Sequence, residues 1–313
     1  MLRVGSALEG SEVQNHSMSA SWLIALASLL FATMGVCVKL ASTQYSSGEI
    51  VMYRGAVGAL MIFAVCSVRK KSLRTTIPAQ HLLRSLTGVT ALCLWFYAIS
   101  GLPLAAAMTL NYTSSLWMAV FLGGGALVMG ARGIDGRLLA TVIVGFVGVV
   151  LVLRPTLVDQ QMWHGLAGLA SGMVSATGYL QVAAMGRAGE SENQIVFYFS
   201  IGGVLGGAML ASVTGWHDHT WQGIVLLLAV GALATTAQWM LTRAYARGRT
   251  LVNASLQYLG VAFSFLYGVV LFDDVVTAMT VAGMLLIVGA GVHASMLRAG
   301  RAQTSAATAT KTS

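Results

Sequence analysis

Ten long apolar runs separated by short polar loops dominate this sequence, and they fix what it can fold into. A helix rises about 1.5 Å per residue and a bilayer core is about 30 Å thick, so about 20 apolar residues make one crossing. The runs cover residues 20–41, 48–68, 80–101, 104–129, 137–154, 163–186, 194–215, 221–244, 250–272 and 275–297. None alternates apolar and polar residues as a barrel strand does, so helices must satisfy the backbone inside lipid. Pro78, Pro103 and Pro155 all fall between the expected helices and break none of them. The fold class expected is an all-α polytopic membrane protein of ten transmembrane helices.

Composition excludes the soluble alternative. Only 9% of the 313 residues are charged and 57% are hydrophobic, with a mean hydropathy of +0.77. Soluble domains carry about 25% charged residues, and this chain has too few to cover a water-soluble globule of its size. The amino terminus does not read as a cleavable signal, because Glu9 and Glu12 precede a first span too long for a signal core. Cys37, Cys66 and Cys93 all lie in apolar helices and read as small core residues, neither disulfide partners nor metal ligands.

The net charge of +8 is distributed as in a membrane protein and not as in a nucleic-acid binder. With the loops numbered alternately from a cytoplasmic amino terminus, one side holds Arg3, Arg69, Lys70, Lys71, Arg74, Arg84, Arg132, Arg137, Arg187, Arg243, Arg247, Arg249, Arg298, Arg301 and Lys311. That is 15 of the 18 Lys and Arg residues; Lys39, Arg54 and Arg154 remain. This positive-inside bias puts both termini in the cytoplasm. The loop acids Asp159, Asp218, Asp273 and Asp274 fall on the other side, and Trp22, Trp163, Trp216 and Trp221 sit near span ends as an aromatic belt does.

The chain also resembles itself. LNY at 110–112 matches LQY at 256–258, an offset of 146, and Ala98 matches Ala244 at the same spacing. EIVMYR at 49–54 resembles QIVFYF at 194–199, an offset of 145. A repeat of five helices, an odd number, puts the second copy into the membrane upside-down. Inverted repeats of this kind are a transporter signature. The expected organisation is a cytoplasmic tail 1–18, a first five-helix repeat 19–155, a second 160–297 and a disordered cytoplasmic tail 298–313.

On these residues the chain resembles the drug/metabolite transporter superfamily, in its EamA-type ten-helix branch. The resemblance spans about residues 19–297. It is carried by the Arg84 region running into LWFYAISGLPLAAAMTLNY, by GFVGVVLVLRP closing the fifth helix, and by NASLQYLGVAFSFLYGVVLFDD. Relatives often carry a glutamate after the fourth helix, where this chain reads FLGGGALVMG. The usual acidic residue after the ninth is supplied by Asp273–Asp274.

Polar groups in hydrocarbon usually face a bundle interior or a water-filled path. In the ninth helix Asn253, Gln257, Gly260, Ser264 and Tyr267 are spaced 4, 3, 4 and 3, one stripe of a helix. The repeat partner of Gln257 is Asn111, which shares a face with Ser114 and Ser115. The eighth helix offers Thr235, Gln238, Trp239 and Thr242, the sixth Ser171, Ser175 and Tyr179, and the third Thr90 and Tyr97. Single Ser and Thr residues also serve as interhelical glue. Arg54 lies nearly two turns inside the second helix, placed either to bind a substrate carboxylate or phosphate or to be locked structurally. Glu49 and Arg54 point about 140° apart and are not expected to pair; Lys39 is expected to snorkel to the interface. The substrate-binding candidates are thus Arg54, Tyr97, Asn111, Ser115, Tyr179, Gln238, Trp239, Asn253, Gln257 and Tyr258.

No acidic residue and no histidine falls at a helix centre, so gradient-driven export, exchange or uniport is expected, without proton symport through a buried acid. The expected function is secondary transport of small polar or amphipathic metabolites, such as amino acids, their derivatives or vitamins like riboflavin; the resemblance favours export. The alternatives are a non-transporting membrane scaffold and an intramembrane enzyme, for which HExxH, GxSG and paired mid-span aspartates are all missing. No phosphate-binding GxxxxGK[ST] loop points to an ATP-driven pump. No cofactor, metal or nucleic acid is expected. The partners expected are a small-molecule substrate and membrane lipid, with the protein a monomer or homodimer in a bacterial inner membrane.

Overall fold

The computed structural model describes residues 4–128, 136–158, 161–247, 257–275, 277–293 and 296. All regular structure among them is helical. The elements are α1 (Val4–Ala41), α2 (Ser47–Val68), α3 (Pro78–Gly101), α4 (Leu104–Tyr112), α5 (Ser114–Val128), α6 (Gly136–Val158), α7 (Met162–Arg187), α8 (Glu192–Thr214), α9 (Trp221–Arg247), α10 (Leu259–Phe272) and α11 (Ala278–His293). Among the described residues, Trp22–Ala41, α2, α3, α8 and Trp221–Arg243 are long and apolar enough to cross a membrane. Shorter apolar helices lie within α6, α10 and α11.

Local chemistry sets the helix starts. Ser46 and Glu49 close a capping box at α2, and Ser191 and Gln194 close the same box at α8, 145 residues on. Pro78 occupies the first turn of α3 and Pro103 immediately precedes α4, positions where a missing N–H costs nothing. Pro155 is different: it does not lie in a loop, because α6 continues through it to Val158.

The expected fourth span, 104–129, is not one helix. It breaks at Thr113, whose N–H bonds to Leu110 at 3.2 Å while Leu116 N–H bonds to Thr113 at 2.8 Å, tight i→i+3 geometry between α4 and α5. In the ninth span the described residues open on a turn at Gln257 and Tyr258, where Gly260 N–H bonds to Gln257 and Val261 N–H to Tyr258, both at 3.0 Å, ahead of α10. The first turn directly follows the LNY segment and the second lies in the LQY segment. The expected polar stripe therefore does not run along one uninterrupted helix. Asn253, its first member, lies outside the described residues.

Packing follows a simple exchange rule. α2 packs most extensively on α8; α1 packs on α9 and α3 on α7; α2 touches α9 and α3 touches α8. Swapping α1, α2 and α3 for α7, α8 and α9 leaves this map unchanged. Close approach depends on glycine. A Cβ on Gly207 of α8 would stand 2.5 Å from Met52 N, and one on Gly148 of α6 would stand 2.7 Å from the carbonyl oxygen of Gly283 in α11. Between these contacts runs one continuous apolar core that includes Met34, Phe96, Met108, Leu116, Leu227 and Ile287.

Candidate functional site

The polar side chains converge on a small cavity of about 50 Å³ inside the bundle. It is bounded by Arg54 of α2, Arg84 and Trp95 of α3, Asn111 and Tyr112 of α4, Ser175 and Tyr179 of α7, Phe199 of α8 and Gln238 of α9. A single water needs roughly 10–15 Å³ of such space, so the site has room for a few waters. Ligand pockets are typically ~300–1,000 Å³. The bundle must open to admit a metabolite.

Two guanidiniums dominate this cavity. Arg54 is 4% exposed and Arg84 6% exposed. Each is seven or eight residues into its helix, about 10 Å from the end. Because α2 and α3 enter from opposite ends, their long side chains meet in the middle. There both stack on one ring: the Arg84 guanidinium carbon lies 4.3 Å from the Phe199 centroid and that of Arg54 5.2 Å. Arg84 folds back along its own helix across Gly88, where an added Cβ would stand 1.8 Å from Nη1. The Nε of each arginine has no hydrogen-bond partner, and no ion pair among the described residues includes either. Two such charges on one ring repel by about 2 kcal/mol at an effective dielectric of ~20.

Neutral groups complete the wall. Asn111 donates through Nδ2 to Ser171 Oγ at 3.0 Å and to Ser175 Oγ at 3.4 Å. Tyr179 hydrogen-bonds to Gln257 and lies within electrostatic reach of Arg84. The helix break supplies the rest. Because Leu116 N–H turns to Thr113, the Tyr112 carbonyl loses its helical donor; Tyr258 Oη and Ser115 Oγ each lie 3.3 Å from it, and their two protons serve that carbonyl and the contact between the hydroxyls. Tyr258 Oη and Ser115 Oγ also bond to each other, and the Tyr112 and Tyr258 rings meet edge-on at 6.1 Å. Satisfying a freed carbonyl in this way is what allows non-helical backbone at membrane depth.

Each of the remaining candidates takes a distinct place. Arg54, Asn111, Tyr179 and Gln238 line the cavity, and Gln257 reaches it through Tyr179. Ser115 and Tyr258 brace the break. Trp239 belongs to a separate pocket of about 320 Å³ at the Arg69–Lys71 end, where its Nε1 donates to Asn193 at 2.9 Å and Arg243 stacks on its ring. Tyr97 stacks on His164 at 4.3 Å and faces a large apolar groove of about 950 Å³ along α3 and α8, away from the centre. Arg84, which the loop arithmetic counts with the cytoplasmic basic residues, is a buried cavity residue. Its sequence signal is a charge in the second turn of an apolar run with a glycine one turn further on.

Both ends of the bundle are held by carboxylates bonded to basic side chains. Lys39 does not snorkel: its Nζ meets Asp274 at 2.8 Å, and Asp274 also accepts Leu104 N–H at 2.9 Å. Nearby, Glu49 accepts from Ser46 and from both N–H and Nδ1 of His217. At the opposite end Glu190 takes the Thr75 hydroxyl at 2.6 Å and His81 at 3.1 Å.

A helical bundle with broken helices around a buried polar centre defines a multi-pass membrane transporter architecture, and the comparisons agree. Residues 18–154 match the EamA-like transporter family. Over most of its length the chain is similar to transporters of the drug/metabolite transporter superfamily. It is 29% identical to the pseudopaline exporter CntI of Pseudomonas aeruginosa over 89% of this chain and 96% of that one. It is 22% identical to an S-adenosylmethionine uptake transporter of Rickettsia bellii over 89% of this chain and 93% of that one. A solved crystal structure shares the fold with a TM-score of 0.62 at 19% identity, covering 90% of this chain and 98% of that one.

Proposed function

We propose that the protein is a secondary transporter that exports small polar or amphipathic metabolites across a bacterial inner membrane by alternating access. Residues 19–155 and 160–297 act as two inverted units that rock about the central cavity, with both termini cytoplasmic. The observation that carries this reading is the pair of helix turns at Thr113 and Gln257–Tyr258. The first directly follows the LNY segment and the second lies in the matching LQY segment; Asn111 and Tyr112 beside the first line the cavity, to which five helices bring polar side chains. Discontinuous helices at a repeat interface are where such carriers hold their cargo. Export is favoured over uptake by the similarity to an exporter across nearly the whole chain. Flux follows the substrate's own gradient, because none of the described carboxylates lines the cavity.

The test is a resistance screen. Cells overexpressing the protein are challenged with a panel of amino acids, amino-acid derivatives and vitamins, then rescreened with Asn111→Ala and Gln257→Ala. Each variant is expected to lose most of the resistance that the wild type confers. Wild-type resistance in both variants, at equal membrane abundance, would remove the cavity from the mechanism.

A further inference from the structure

We propose that Arg54 and Arg84 form an oxyanion subsite, so that the substrate carries two negative charges, one for each guanidinium. The inference rests on the central cavity being the transport site and names the chemistry of its cargo.

Among the described residues neither guanidinium has a counter-ion. Both side chains are more than nine-tenths buried and face one cavity. The described carboxylates are engaged elsewhere or lie away from the cavity: Glu49 with Ser46 and His217, Asp274 with Lys39, Glu190 with Thr75 and His81, and Glu192 in the pocket beside Asn193. Phe199 stands beside both guanidiniums without neutralising them. A locked structural arginine would spend its five donors on carbonyls or carboxylates. Here Nε of each arginine has none. A planar fork held over a ring and facing a cavity suits bidentate capture of carboxylate or phosphate oxygens. Asn111, Gln238 and Ser175 surround the pair and supply neutral partners for the rest of a polar molecule.

The arrangement also bears on transport. An empty site holds two like charges at membrane depth, and a dianion cancels them. The loaded site is therefore the one that closes with least electrostatic cost. This distinguishes cargo from water without any protonation step.

The test uses full-length protein in nanodiscs of neutral phosphatidylcholine, with thermal unfolding as the readout. The probes are L-glutamate and citrate, the isosteric neutral control L-glutamine, and inorganic phosphate. Citrate and glutamate are expected to raise the melting temperature and glutamine to leave it unchanged. Arg54→Gln and Arg84→Gln should each weaken that protection at least tenfold, with Arg84→Lys intermediate. Protection by phosphate that is lost in the same variants supports the subsite with a phosphate ester as its guest. Absence of protection by any of these anions overturns the proposal. So does protection that appears only when anionic phosphatidylglycerol replaces the neutral lipid.

Folding is controlled by the unliganded proteins. Removing an uncompensated buried charge should leave the melting temperature of each glutamine variant at or above the wild-type value. If both fall well below it while keeping the wild-type anion response, the arginines are structural and the subsite is refuted. Resistance separates this claim from the cavity reading. Loss in Asn111→Ala and Gln257→Ala with full activity in both arginine variants keeps the cavity and removes the subsite. Wild-type behaviour in all four removes both.

Discussion

Lys39 and Arg84 are both cations on apolar helices, yet their surroundings differ. Lys39, near the end of α1, meets Asp274 at 2.8 Å and lies over the Phe272 ring at 4.6 Å. Arg84, in the second turn of α3, has the Phe199 ring but no carboxylate among the described residues. The same contrast holds for the regions around them. At the ends of the bundle the carboxylates Glu49, Asp274 and Glu190 are each tied to a basic partner on a different helix or loop. At the centre two guanidiniums share one ring. The ends are built to stay closed by internal pairing, and the centre keeps its strongest donors for something that is not part of the chain.

Breaking one end should have the largest effect. Asp274 joins three elements, because it pairs with Lys39 of α1, caps the first turn of α4 through Leu104 N–H, and itself follows α10. Asp274→Asn leaves Lys39, only 18% exposed, without its countercharge. Stranding one partner of a buried pair costs about 3 kcal/mol or more. Denaturant or thermal unfolding in detergent should show that loss, and Lys39→Met added to Asp274→Asn should recover a good part of it. If the single variant unfolds like the wild type, the end pairs are not what holds the bundle shut and the contrast with the centre disappears.

The spans were legible in the sequence because hydrocarbon thickness dictates run length, although α1 begins at Val4, ahead of the expected start at residue 20. The breaks were not. LNYTSS and LQYLGV contain neither proline nor any feature that a helix rejects. The turn at Thr113 is imposed by neighbours: Gly172 of α7 comes so close that a Cβ there would stand 2.4 Å from Thr113 Oγ1. That contact joins residues nearly 60 apart, and no local pattern carries it. The matched positions of Asn111 and Gln257 pointed to the centre. Arg84 was hidden for a different reason. A charge two turns from the end of an apolar run reads as an interfacial residue, and only the tertiary fold shows that its side chain turns inward over Gly88 to share Phe199 with Arg54. Lys39 shows the converse: its position suggests escape to the interface, and its pairing with Asp274 depends on a residue 235 positions away.

The matched tyrosines sharpen the comparison between holding and binding. Tyr258 Oη serves the carbonyl that the break at Thr113 frees, whereas the Tyr112 side chain lines the cavity. Tyr258→Phe leaves a buried carbonyl with one weak donor and should cost about 2 kcal/mol. Tyr112→Phe should leave stability within about 0.5 kcal/mol, the range of changes that touch no buried bond, while lowering transport of any compound that the resistance screen identifies. Unfolding measured beside transport for the two variants separates the roles. Equal destabilisation by both would mean that the break is braced symmetrically and that Tyr112 is part of the frame.

The smallest expected effect comes from the other end, through pH. Burial raises the proton affinity of Glu190, but hydrogen bonds from Thr75, His81 and Thr76, together with the charge of His81, outweigh it and hold the carboxyl below its ordinary value of 4.5. The ionised form is therefore worth more in the folded protein than in the unfolded chain. That contribution is fully present above pH 4.5 and is lost as pH falls from there through the lower folded value. Its scale is about 1 kcal/mol, that of one net hydrogen bond. Melting curves of the wild type should therefore decline over that acidic interval more steeply than those of Glu190→Gln, which has nothing to titrate. The variant should pay for this with lower stability at neutral pH, where the wild-type carboxylate still binds His81. Parallel curves would mean that His81 and Thr75 do not favour the ionised form, and that this end of the bundle is closed by packing of α3 on α8, without help from charge.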